Sequence, residues 1–139
     1  MKKPVIIENT IRVPSSEDYL PDIDSFLEGI LRGFGLEETV IADIAICVTE
    51  LAINGIVHGN KADIDKNVTI EINRQDSAVE IVITDQGAGF NPEDIDNPVD
   101  DKNLLKEVGR GIFIVKSLMD KVVTEHLETG TRISITKNF

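Results

Sequence analysis

Apolar and polar positions alternate in several stretches of the chain and recur at helical spacing in others. Ile6-Ile7, Ile11 and Val13 read as a first strand, which Pro14 stops because proline has no N–H to give a ladder. Ser15-Ser16-Glu17 then offers an N-cap followed by an acid. Tyr19, Ile23, Phe26, Leu27, Ile30 and Leu31 fall every three or four residues up to Gly33 and Gly35, which predicts a first helix. A longer second helix is predicted over about residues 37–58, from the spacing of Val40, Ile44, Cys47, Val48, Leu51 and Gly55, with Gly59-Asn60 as its stop. Val68, Ile70 and Ile72 alternate with polar residues, and Val79, Ile81 and Ile83 repeat the alternation after a turn at Gln75-Asp76-Ser77. From residue 85 to 109 the pattern dissolves into Gly, Pro, Asn and Asp, a stretch of about 25 residues that is too long for an idle connection in a compact domain. Val108, Ile112, Val115 and Met119 mark a third helix. Val122-Val123 and residues 133–135 supply two closing strands around a turn at Thr129-Gly130.

The order is strand, helix, helix, strand, strand, loop, helix, strand, strand. It predicts the α+β class: a two-layer sandwich with a mixed, mostly antiparallel β-sheet covered on one face by three helices. No internal repeat and no Pro/Gly/Ser linker divides the sequence, so residues 1–139 are expected to form a single domain. A chain of this size buries roughly two-thirds of its unfolded surface and needs no staples. Cys47 is the only cysteine, which leaves no internal disulfide and no cysteine cluster for zinc.

Charge narrows the function classes. The 14 Lys and Arg stand against 25 Asp and Glu, a net charge of −11, and the basic residues form no run. A broad basic face for gripping a phosphate backbone is therefore not expected, nor is direct nucleic-acid binding. The longest apolar run, Ile44-Ala45-Ile46-Cys47-Val48, is far short of the roughly 18 residues of a membrane span. The opening Met1-Lys2-Lys3-Pro4-Val5-Ile6-Ile7-Glu8 lacks the apolar stretch of a signal peptide. A cytoplasmic protein without a membrane partner is the expectation.

Three segments carry candidate chemistry. On the second predicted helix Glu50, Asn54 and His58 stand at i, i+4 and i+8 and share a narrow stripe flanked by apolar residues. A carboxylate and an amide held near a core are costly unless something pairs with them, and a metal-bound ligand would do so, although an ordinary polar helix face has the same spacing. His58 fits a capping role at the helix end as well as a ligand role. Directly after a predicted strand comes Asp85-Gln86-Gly87-Ala88-Gly89-Phe90. Two glycines one residue apart let another molecule approach the backbone closely, and the acid before them can accept from a ligand amine, though turns use the same residues. The segment opens no helix, so it is not a dinucleotide fingerprint. Third, Gly109-Arg110-Gly111 is read as opening the last helix, over residues 112–120, where free N–H groups and the positive dipole end form an anion site; close packing at a helix start is the alternative. A P-loop is excluded, because Val115 stands where the glycine before Lys116 is obligatory.

In this order the segments resemble the GHKL ATPases, the superfamily of gyrase, heat-shock chaperone, histidine-kinase and mismatch-repair ATPase domains, also called the Bergerat or histidine-kinase-like ATPase fold. The resemblance rests on Glu50-Leu51-Ala52-Ile53-Asn54 with His58-Gly59, on residues 85–90, on residues 109–115, and on Gly130-Thr131. Small size and a short loop make it similar to the anti-sigma factor serine/threonine kinases in particular. The resemblance implies ATP and Mg²⁺ as cofactors, with Asn54 as metal ligand and phosphate contact. It implies Glu50 as general base toward a protein hydroxyl and Asp85 as acceptor from the adenine amine. Gly87 and Gly89 would lie along the base, Gly109, Arg110 and Gly111 at the phosphates, and Thr131 on the adenine side, directly or through water. Residues 91–108 would form a lid whose acids outnumber Lys102 and Lys106.

The implied activity is phosphorylation of a small anti-anti-sigma (STAS-type) partner, together with sequestration of a sigma factor, by a homodimer. A nucleotide-gated adaptor without phosphoryl transfer and a stand-alone histidine-kinase catalytic domain are the competing classes. Retention of Glu50 favours transfer over mere binding.

Overall fold

The computed structural model describes residues 2–87 and 102–139, with residues 102–108 as backbone only. The alternating segments form β1 (Val5–Ile7), β2 (Thr10–Pro14), β3 (Asn67–Arg74), β4 (Ala78–Thr84), β5 (Lys121–Leu127) and β6 (Gly130–Asn138). The helical segments form α1 (Leu20–Gly33), α2 (Glu38–Ile53) and α3 (Lys102–Leu118). The strands make one sheet in the order β1-β2-β3-β4-β6-β5. Each pairing among the described residues is antiparallel, so the sheet expected to be mostly antiparallel is wholly so.

Period-two patterning becomes rows of side chains that cross the sheet. Ile11 pairs with Ile70, Ile70 with Ile83, Ile83 with Ile133, and Ile133 with Thr124. One pleat away, Ile72 pairs with Ile81, Ile81 with Ile135, and Ile135 with Val122. The helices supply Ile23, Phe26, Leu27 and Leu31 of α1, Ile41, Ile44, Cys47, Val48 and Leu51 of α2, and Val115 of α3 to the same core. Each fully buried isoleucine or leucine contributes about 1.5–3 kcal/mol through removal of apolar surface from water. The core lies between the three helices and one face of the sheet, as the two-layer reading expects.

Three local features differ from the sequence reading. The first strand is a hairpin, β1 and β2, joined through Glu8 and Asn9. Glu8 makes that turn at φ 54°, a conformation in which glycine or asparagine is the usual sign, so the turn carries no sequence signal. At the far end of α2 the chain winds into a wide π turn, Asn54–Gly59, in which the Asn60 N–H reaches back to the Gly55 carbonyl at 2.8 Å. The third difference concerns α3. It begins at Lys102, seven residues before Gly109, so Gly109, Arg110 and Gly111 sit inside the helix and their N–H groups are not the free ones of a helix start. Of the expected lid, residues 91–108, residues 102–108 are helical and residues 91–101 lie outside the described residues.

α2 with its π turn spans 22 residues and holds an 18-residue window of mean hydropathy 2.0, long and apolar enough to cross a bilayer by composition. Ile44, Cys47, Val48, Leu51 and Ile56 of this segment are buried in the core, while Ile46 is exposed.

Candidate functional site

Asp85 follows the last residue of β4, beside the start of β6. Its own N–H donates to the Thr131 carbonyl at 3.0 Å. Its carboxylate Oδ1 accepts from the Gly87 N–H at 3.1 Å and from the Thr131 N–H at 3.2 Å. Burial pushes the carboxyl above the usual range, against the opposing effect of those two N–H donors and of Lys66. Segments approach so closely here that side chains are excluded. A Cβ on Gly87 would strike the Gly59 carbonyl, and one on Gly130, whose φ is 149°, would strike the Asp85 carbonyl. A Cβ on Gly59 would stand 2.6 Å from Asp85 Oδ2.

Asp85 opens on a cavity of about 130 Å³ with apolar walls, among them Leu51, Ile83, Ile112 and Ile133, and with Asn54, His58 and Thr131 on its polar side. One water needs roughly 10–15 Å³ on this measure, so the space suits a small ring system. The Thr131 Oγ1 is buried with no hydrogen-bond partner. A buried hydroxyl left unpaired costs about 1–3 kcal/mol, which a polar ligand lying in the cavity would recover.

A second cavity adjoins the first and shares Asn54 and His58 with it. Glu50, Arg110 and Gly111 complete its polar lining, and Ile53 and Ile114 flank it. Glu50 and Asn54 are half-buried, and Arg110 is exposed. Gly111 explains itself by this contact: a Cβ there would stand 3.1 Å from Glu50 Oε2 and 3.6 Å from Asn54 Nδ2. Close approach of α3 to the α2 stripe, and not a helix start, is what the glycine permits.

The structure therefore gathers Glu50, Asn54, Asp85, Arg110, Gly111 and Thr131 around two adjoining cavities, with Gly87 packed on Gly59 and its N–H donating to Asp85. Gly109 lines neither; a Cβ on it would meet nothing within 4 Å. Gly89 lies outside the described residues. Sequence reasoning missed Thr124 and the apolar walls of the first cavity, and it missed Asn60, which it read only as a helix stop.

Residues 13–137 match the family described as the histidine kinase-like ATPase domain. A serine-protein kinase RsbW of Staphylococcus aureus strain MSSA476 is 35% identical over 136 residues, covering 91% of this chain and 84% of the relative. The RsbW of strain MRSA252 is 35% identical over 137 residues, with the same coverage. Among solved structures, the RsbU and RsbW domains of Rv1364c from Mycobacterium tuberculosis superpose with a TM-score of 0.66 at 16% identity, over 97% of this chain and 31% of that one. The catalytic domain of the histidine kinase ThkA gives a TM-score of 0.54 at 12% identity, over 93% of this chain and 96% of that one. At these identities the structures speak for the fold alone. The chain belongs to the histidine kinase-like ATPase domain family. Within that family its sequence stands with relatives named as serine-protein kinases.

Proposed function

We propose that this chain is an ATP-dependent serine/threonine protein kinase that binds adenine in the Asp85 cavity and directs the phosphates toward Glu50, Asn54 and Arg110. The observation that carries the reading is the pair of adjoining cavities sharing Asn54 and His58, one bounded by Asp85 and an unpartnered Thr131 hydroxyl, the other by Glu50. Kinship with the serine-protein kinases supports it.

Each role follows from the chemistry of the group. Asp85, an acceptor-only carboxylate at the end of an apolar slot, accepts from the exocyclic amine of adenine, and Thr131 completes that side directly or through water. Glu50 stands one turn before Asn54 and takes the proton of the incoming serine or threonine hydroxyl. The hydroxyl oxygen bonds to the γ-phosphorus, the bond from that phosphorus to the bridging oxygen breaks, and ADP departs with the electron pair. Among the described residues no group of three or more His, Cys, Asp and Glu could hold a metal unaided. Asn54, an oxygen donor that borders both cavities, suits Mg²⁺, which keeps waters and phosphate oxygens as most of its ligands, and would be the side chain that holds it. When bound, the ion supplies positive charge to the phosphates.

The partners in this reading are a small anti-anti-sigma protein that receives the phosphoryl group and a sigma factor that is sequestered, in the cytoplasm. The protein acts as a homodimer. Val5, Ile6 and Ile7 are exposed on β1, an edge strand with free backbone groups, which supports an association through that edge.

The test is incubation with γ-labelled ATP and candidate small regulator proteins. Label on a partner serine or threonine is expected. Label on histidine selects a histidine kinase, and nucleotide binding without label selects an adaptor.

A further inference from the structure

The turn after α2 ends in Asn60, a polar side chain only 1% exposed and hydrogen-bonded to three separate segments. Its Nδ2 donates to Ser15 Oγ at 2.8 Å, just past β2, and to the Asn67 carbonyl at 3.0 Å, at the start of β3. Its Oδ1 accepts from the Gln86 N–H at 2.8 Å. Around this centre Ser15 Oγ donates to the Lys66 carbonyl at 2.7 Å, and the Asn67 N–H donates to Gln86 Oε1 at 2.6 Å. Asparagine suits the position because one short side chain offers two donors and one acceptor at once, and each is used.

The Gln86 nitrogen belongs to the peptide group that follows Asp85. Holding that N–H fixes the plane of the Asp85–Gln86 peptide, while the Asp85 N–H on the other side is held by the Thr131 carbonyl. Asp85 is thus clamped from β6 on one flank and from the end of α2 on the other. Two observations meet at the second flank: the clamp comes from the residue next to Gly59, and Gly59 packs directly on Asp85 Oδ2.

We infer that Asn60 is the positioning residue for nucleobase selection. Through the Gln86 N–H it sets the angle at which the Asp85 carboxylate faces the cavity, and it ties that angle to the same helix end that presents Asn54. This rests on the adenine reading of Asp85. Removing the acceptor lets the peptide rotate and the carboxylate swing, so the preference for an amino over an oxo group on the purine falls while the cavity itself persists.

The experiment measures ATP and GTP affinities of the full chain for the parent, Asn60→Ala, Asn60→Asp and Asp85→Ala. Asn60→Ala should lower the ATP-over-GTP preference by about threefold to tenfold, the scale of one net hydrogen bond. Asn60→Asp retains the acceptor for the Gln86 N–H and should hold the preference within about twofold, although both variants lose stability. A merely structural Asn60 would give two destabilised proteins with the parent preference, and that result overturns the inference. An Asp85→Ala variant with unchanged preference overturns the adenine reading and this inference together; a shift in Asp85→Ala with none in Asn60→Ala overturns this inference alone. If Asn60→Ala does not fold, amide exchange in the nucleotide-free parent decides. The Gln86 N–H should exchange as slowly as the β4 amides beside it, and exchange at the rate of an open loop overturns the proposal.

Discussion

The two ends of the candidate site are built differently. At the Asp85 end, backbone N–H groups from two segments hold the carboxylate, the glycines bring the flanking segments within touching distance, and Asn60 locks the next peptide. At the Glu50 end, two half-buried side chains on one helix face an exposed arginine across Gly111. The first end is tied together by hydrogen bonds and close backbone packing and is suited to reading a shape. The second is a set of polar groups on a helix face, suited to charged atoms that bring counter-ions with them. With a net charge of −11 the protein offers phosphates few cations of its own, so in the proposed reading the Asp85 end carries the discrimination between nucleotides.

The comparison can be broken by altering each end in turn. Glu50→Gln should lower phosphoryl transfer by about 10²- to 10⁴-fold with ATP affinity nearly intact, in a rate assay run beside equilibrium binding. Weakened binding with unchanged turnover would move Glu50 from chemistry to anchoring. Gly130→Ala should cost about 2–4 kcal/mol of folding stability in urea unfolding, since its φ of 149° and the Asp85 carbonyl leave no room for a methyl group. Gly109→Ala should do the opposite and gain up to about 1 kcal/mol, because an exposed glycine inside a helix with nothing near its missing Cβ is replaced by a better helix former. A loss there would return Gly109 to the start of a helix.

Asp85→Asn sharpens the contrast by separating stability from recognition. Burial raises the Asp85 carboxyl, so the folded chain binds its proton more tightly than the unfolded chain does. The carboxylate therefore costs stability as pH rises through the raised value, and the cost is absent below the ordinary value of 3.8. Asparagine keeps an acceptor for the Gly87 and Thr131 N–H groups without the charge. Its thermal midpoint at neutral pH should equal or exceed the parent's, and the gap should close on acidification. ATP affinity should fall roughly tenfold to a hundredfold, with GTP little changed.

The sheet and α2 were legible because their patterns are local. The alternation at Val68, Ile70 and Ile72 and at Val79, Ile81 and Ile83 becomes β3 and β4 with those residues facing the helices. The chemical stripe was legible for the same reason, since Glu50, Asn54 and His58 do border one cavity. What failed was the meaning of glycine. Gly109 and Gly111 looked like a helix start because glycine is costly inside a helix, but both lie within α3, and Gly111 there packs close to the end of Glu50 on another element. Asn60 was invisible for a related reason: its partners come from three segments that only the fold brings together.

The central claim is that the apolar slot beside Asp85 takes adenine. Calorimetric titration of ATP and GTP into the folded parent protein tests it most directly. Saturable binding of one ATP per chain, with GTP weaker by roughly tenfold or more, is the predicted result. No heat from either nucleotide, or equal affinity for both, would contradict it.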